Sequence, residues 1–177
     1  EIASGDWSSD VCSSDLAINL LAECIHNGYM AQYITSNAAP RNVYSTMLQK
    51  GFKKTDIKAL FQSSGTFHTR KKNELQIAIV DEAHRLRKKS GMFQNQGEDQ
   101  IKEIINASIF SVFFIDRNQR VTFNDAGTID KIRNFAQEQN SLIYEGVLES
   151  QFRCNGSDGY LAWLDNVLQI AETANYD

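Results

Sequence analysis

Residues 76–84 read Gln-Ile-Ala-Ile-Val-Asp-Glu-Ala-His, and this stretch decides the fold. Ile77, Ala78, Ile79 and Val80 run without a polar break and end in two acids. A short apolar run without alternation is the pattern of a strand covered on both faces, as in a parallel sheet. Ligands of open parallel sheets gather at the carboxyl ends of the strands. Asp81 and Glu82 stand at that end.

Such a pair suits nucleotide hydrolysis. The first acid orients Mg2+, usually through water, because Mg2+ gives up its hydration shell reluctantly. The second polarises the attacking water as a general base. In motif terms this is a Walker B strand of the D-E-A-H kind. The same residues also fit a buried strand followed by an acidic helix cap, and the downstream motifs favour the first reading.

Outward from this strand, apolar runs and helical spacings alternate. Upstream, Ser63 to Asn73 is a polar connection carrying Arg70, Lys71 and Lys72. Thr55 to Phe61 is a short helix with Thr55 as its N-cap. Thr35 to Tyr44 turns into a helix with Pro40 near its first turn, and Gly51 breaks it. Tyr29 to Thr35 is a strand. Leu16 to Ile25 is apolar nearly all round, which predicts a buried helix ended by Gly28.

Downstream, Arg85 to Gly97 is polar and begins with basic residues. Glu98 to Ala107 has helical spacing, with Ile101, Ile104 and Ile105 on one side. Ser108 to Asp116 reads as a second buried strand ending in an acid, with an exit loop through Gln119 and a short extended piece at Val121 to Phe123. Thr128 to Gln139 is amphipathic, with Ile129, Ile132 and Phe135 inward. Leu142 to Leu148 reads as a further strand, Ser150 to Asn155 as a polar turn and Asp158 to Ile170 as a last helix. Strands alternating with helices predict a doubly wound α/β fold with a mainly parallel sheet and right-handed crossovers.

Composition bounds the function. At 177 residues with 42 % hydrophobic content, the chain supports one sizeable core. A net charge of −4 leaves no global attraction to nucleic acid, so any such site is a local patch. Cys12, Cys24 and Cys154 are odd in number and lack C-x-x-C spacing, which argues against disulfides and zinc and suits a reducing cytoplasm. No apolar stretch approaches the ~18 residues of a membrane helix, and no basic-then-apolar leader is present.

Three strand-end signals line up. Asp81 and Glu82 would handle Mg2+ and water. Gln119 is placed to hydrogen-bond a γ-phosphate or the attacking water, being neutral and both donor and acceptor. Arg153, in Gln-Phe-Arg-Cys-Asn, suits the charge that develops in phosphoryl transfer.

On these motifs the chain resembles superfamily-one-type helicase cores. Within them it is most similar to the Schlafen group 3-like DNA/RNA helicase domain family. The resemblance covers about Ala17 to Asp177, and its most specific segments are Thr35 to Tyr44, Glu98 to Ala107 and Ser150 to Trp163. It implies a RecA-like P-loop NTPase lobe that binds and hydrolyses ATP with Mg2+ and works on DNA or RNA, with the second lobe starting from about residue 150. By resemblance, Asp81 is the metal-orienting acid and Glu82 the catalytic one. Gln119 is the γ-phosphate sensor, and Arg153 acts across the cleft between lobes. His84 either couples the nucleotide site to the neighbouring lobe or is a partly buried histidine after a strand. Thr35 and Asn37 either contact nucleic acid or serve the turn and helix cap. Arg85 and Lys88, in the Arg85 to Lys89 run, either meet a phosphate backbone or form a solvated loop.

One departure outweighs the matches. The chain contains no G-x-x-x-x-G-K-S/T, the loop whose backbone donors and lysine hold the phosphates. Residues 5–16 instead resemble the conceptual translation of a sequencing adapter. On that reading residues 1–16 are non-native, the native chain begins at about Leu16 or Ala17, and the lobe lacks its first strand and phosphate loop. Such a chain is expected to bind little or no ATP. The alternative is a non-catalytic nucleic-acid- or protein-binding module on a degenerate P-loop NTPase fold.

Overall fold

The computed structural model describes residues 13–48, 53–91, 93–116, 119 and 125–148. It comprises α1 (Ser13–His26), β1 (Ala31–Thr35), α2 (Ala38–Leu48), α3 (Lys54–Leu60), β2 (Phe61–Ser63), a 3-10 segment (Ser64–Thr69), β3 (Leu75–Val80), a 3-10 turn (Ala83–Arg85), α4 (Gln100–Ala107), β4 (Ser108–Phe113) and α5 (Ile129–Glu138). The four strands form one all-parallel sheet in the order β2-β1-β3-β4. The chain is therefore α/β with helices on a parallel sheet, compatible with a RecA-like lobe.

The apolar run that decided the fold is a central strand. Ala78, Ile79 and Val80 are fully buried. Side chains alternate across a strand, so β3 feeds two cores. On one face Ala78 and Val80 pack with Ile34, and with Ile101, Ile104 and Ile105 of α4 and Ala136 of α5. On the other, Ile79 packs with Tyr33, Phe61 and Ile57, and with Ala17 and Leu21 of α1. Tyr33 lies opposite Ile79 and Ile34 opposite Val80. Asp81, two residues beyond Ile79, therefore falls on the α1 face.

Local chemistry sets the helix ends. Asp99 accepts Ile101 N–H at 3.0 Å and Thr128 accepts Lys131 N–H at 3.3 Å, so each satisfies an orphan donor at the start of its helix. Gly28, at φ +79°, ends α1, with its N–H on Ile25 O and Tyr29 N–H on Cys24 O.

Several expectations need correction. Thr55 does not cap α3: that helix starts at Lys54 after an uncapped Lys53, and the Thr55 hydroxyl turns to Asp56. α1 is not buried all round, since it lies on the sheet with one face and leaves Leu16 and Ile25 exposed. β2 was not legible, because three residues with a central glutamine carry no strand pattern. β4 is not a buried strand. It is the edge of the described sheet, and Ile109 and Phe110 are 68 % and 55 % exposed. Residues 142–148 form no strand, and Leu142, Tyr144, Val147 and Leu148 are exposed. An apolar run becomes a strand only where a paired neighbour satisfies its backbone, and this run has none among the described residues. The readings at Gly51, Val121 to Phe123, Ser150 to Asn155 and Asp158 to Ile170, and the second-lobe boundary near residue 150, lie outside the described residues.

Candidate Mg2+ and nucleotide site at the end of the central strand

Parallel pairing on both sides fixes where β3 ends. Asp81 N–H donates to Ile34 O at 2.9 Å, and Phe114 N–H donates to Val80 O at 2.8 Å. The chain then turns sharply. Glu82 takes a left-handed conformation, φ 55° and ψ 45°. That region is unusual for a residue with a Cβ and marks a backbone held by its surroundings. Ala83 N–H closes the turn onto Phe114 O at 2.8 Å.

Asp81 is 1 % exposed. A carboxylate this buried must be hydrogen-bonded, and three donors meet it. Oδ2 accepts the Ser14 hydroxyl at 2.7 Å and the Tyr33 phenol at 2.5 Å, while Oδ1 accepts Glu82 N–H at 3.0 Å. Burial, reinforced by the Asp81 carboxylate, pushes the Tyr33 phenol far above its ordinary value, so Tyr33 remains protonated and donates. Ser14 lies in the first turn of α1, on the face whose Ala17 and Leu21 pack against β1 and β3. The donor set fits Mg2+: a hydroxyl and a carboxylate oxygen, both hard oxygen donors, converge within 2.7 Å at the strand end. Among the described residues no three His, Cys, Asp or Glu side chains cluster as metal ligands. Mg2+ does not need such a cage, since it retains waters and uses substrate phosphates.

The Glu82 carboxylate is half-buried. His84 Nε2 lies 3.2 Å and Arg85 Nε 3.6 Å from its Oε2. His84 is itself 1 % exposed, yet neither ring nitrogen makes a well-directed hydrogen bond; the Glu82 contact is close but misaligned. The loop before α5 seals this corner. Ala126 N–H donates to Leu86 O at 2.8 Å, and a Cβ on Gly127 would fall 1.9 Å from Ala83 O.

The other expected site residues fall as follows. Gln119 is exposed, and no bond among the described residues joins it to Asp81 or Glu82. Arg153 lies outside the described residues. Thr35 is fully buried and its hydroxyl accepts Asn37 N–H at 3.3 Å, while Asn37 accepts Ala39 N–H at 3.1 Å at the start of α2. Both side chains serve the turn into that helix. Arg85 is drawn towards Glu82, whereas Arg87, Lys88 and Lys89 are exposed in succession. Two side chains at the strand end stand outside the expected site residues: Ser14, which falls in the adapter-like segment, and Tyr33, whose phenol is aimed only by the β1–β3 register.

A recess of about 330 Å³ beside α4 is lined by His68, Glu98, Lys102 and Glu103. Lys102 pairs with Glu98 at 2.6 Å and Glu98 N–H donates to Glu103 Oε1 at 2.7 Å, while Glu103 Oε2 is buried without a hydrogen-bond partner among the described residues. The strand end remains the stronger candidate.

Among the described residues no helix is long and apolar enough to cross a membrane. The family model described as Schlafen group 3, DNA/RNA helicase domain, matches residues 14–177. No curated protein and no solved structure matches the chain.

Proposed function

The chain belongs to the Schlafen group 3 DNA/RNA helicase domain family, and from that premise we propose that the end of β3 is the Mg2+–ATP hydrolysis site of a helicase or translocase lobe acting on DNA or RNA. The observation that carries this reading is the Ser14 hydroxyl, at the start of a helix, set 2.7 Å from the carboxylate that ends the central strand. Phosphate loops end in a Ser or Thr that opens a helix and shares Mg2+ with the Walker B acid. Ser14 occupies that place relative to Asp81. Bound Mg2+ would neutralise charge on the phosphates.

The chain's own groups do the rest. Asp81 and Ser14 would hold the ion and its waters. Glu82, next along the chain and half-exposed, accepts the proton of the attacking water. Gln119 and Arg153 act at the γ-phosphate, and Arg87, Lys88 and Lys89 offer a basic strip for a phosphate backbone, with Lys88 at its centre. Asn37 and Arg85 are weaker candidates for that contact, because each already serves a neighbour. Without a Gly-Lys-Ser loop the chain as written lacks the phosphate cradle and is inactive on this reading. The binding-module alternative draws on that same absence.

The test restores a phosphate loop leading into Ser14 and measures Mg2+-dependent ATP hydrolysis with and without single-stranded nucleic acid. Turnover stimulated by nucleic acid is expected, and Glu82→Gln should lower it by about 10²–10⁴-fold, the range for loss of a general base. Turnover indifferent to Glu82→Gln contradicts the assignment. ATP hydrolysis that no nucleic acid alters points to a nucleotide switch instead.

A further inference from the structure

Asp81 has a partner that hydrolysis chemistry does not require. Tyr33, in the middle of β1, is 0 % exposed, and its phenol donates to Asp81 Oδ2, the oxygen that also accepts Ser14. The ring is locked from two sides. Its centroid lies 5.6 Å from that of Phe61 and 6.0 Å from that of Tyr44, in tilted and edge-on arrangements, and Tyr44 stacks on Phe61 at 5.9 Å. Aromatic pairs at these spacings hold a defined geometry. The backbone adds a second constraint, because Tyr33 is in register with Ile79, two residues before Asp81 on the same face. The phenol has little freedom to point elsewhere.

A carboxylate offers about four acceptor directions. Three are taken here, by Ser14, Tyr33 and Glu82 N–H. The Tyr33 phenol belongs to the sheet and the Glu82 N–H to the turn tied to it through Ala83 and Phe114, whereas Ser14 belongs to the helix that opens the site. The free direction is on Oδ1, so a cation beside Ser14 would take the place of the Ser14 hydrogen bond on Oδ2 and find the carboxylate already oriented by the other two donors.

We propose that Tyr33 is a positioning residue for the metal: its hydroxyl, held by the Tyr44–Phe61 pair, fixes the Asp81 carboxylate in the orientation that receives a divalent cation beside Ser14. The inference rests on the Mg2+ reading of the strand end and adds to it a residue that touches neither nucleotide nor metal. Carboxylate ligands depend on such outer partners, whose loss costs about 10–100-fold in metal affinity or activity.

The test needs no ATP. The 15N-labelled full chain is titrated with Mn2+ alone, and the paramagnetic broadening of the Ser14, Asp81 and Glu82 amides is followed. In the parent chain these amides should broaden selectively, and Asp81→Asn should abolish the effect. Tyr33→Phe removes one oxygen and retains the ring. It should raise the Mn2+ concentration for half-broadening by about tenfold or more, while Tyr29→Phe, on an exposed tyrosine outside the trio, leaves it within about twofold. If Tyr33→Phe does not fold, 3-fluorotyrosine at position 33 serves instead; it retains the shape and makes the phenol a stronger donor, and the midpoint should fall. Broadening that neither replacement of Tyr33 moves overturns the positioning role and leaves the metal site standing. Absence of any Asp81-dependent broadening in the parent chain overturns the metal site, and the positioning role with it.

Discussion

β3 and β4 carry almost the same sequence signature, an apolar run closed by an acid, yet they occupy opposite situations. β3 has parallel neighbours on both sides and its last three residues are fully buried. Its acid, Asp81, accepts three hydrogen bonds. β4 is paired to β3 alone among the described residues. Its Ile109 and Phe110 stand in solvent, and its acid, Asp116, is exposed. Apolar content tells where a chain is able to form a strand. The number of neighbours decides whether that strand becomes a platform for chemistry.

One substitution made in both strands separates them most widely. Ile79→Ala empties a fully buried position and should cost about 2–5 kcal/mol in urea unfolding. Ile109→Ala, on a side chain 68 % exposed, should stay within about 0.5 kcal/mol. Equal losses would mean that β4 is covered in solution. A second variant probes how the return from β4 supports the end of β3. Gly127→Ala forces a methyl against Ala83 O, and should cost about 1–3 kcal/mol by displacing the turn that holds Glu82 and His84. The smallest effect is expected at the open edge. Ile109→Lys should leave unfolding stability within about 0.5 kcal/mol and lower concentration-dependent aggregation seen by light scattering, because a lysine on an edge strand opposes strand-to-strand association.

The contrast also explains what could be read from the amino acids. β1, β3, α4 and α5 were legible, because each has a run or spacing that only one buried arrangement satisfies; Ile101, Ile104 and Ile105 turn inward as their spacing requires. β2 and the exposure of β4 were not, since a short polar strand and an edge strand differ from loop and core only through neighbours. Leu142 to Leu148 has the composition of a strand, and nothing in composition reports whether a place in the sheet is available to it.

The site divides the same way. Asp81 and Glu82 are adjacent and readable as a motif. Ser14 and Tyr33 reach Asp81 from 67 and 48 residues away, and only the packing of α1 and the parallel register of β1 bring them there. Gln119 and Arg153 rest on motif resemblance alone.

On the proposed reading Ser14 stands where a phosphate loop ends, against the acid of a Mg2+–nucleotide site. Trp7→Gly, Cys12→Gly and Ser13→Lys together write Gly-x-x-x-x-Gly-Lys-Ser with its serine at position 14. Calorimetric titration with Mg2+–ATP tests the claim directly. No detectable binding is expected of the unsubstituted chain, binding of the triple variant, and loss of its Mg2+ dependence when Asp81→Asn is added. A triple variant that binds no nucleotide, or one whose binding ignores Asp81, contradicts that reading.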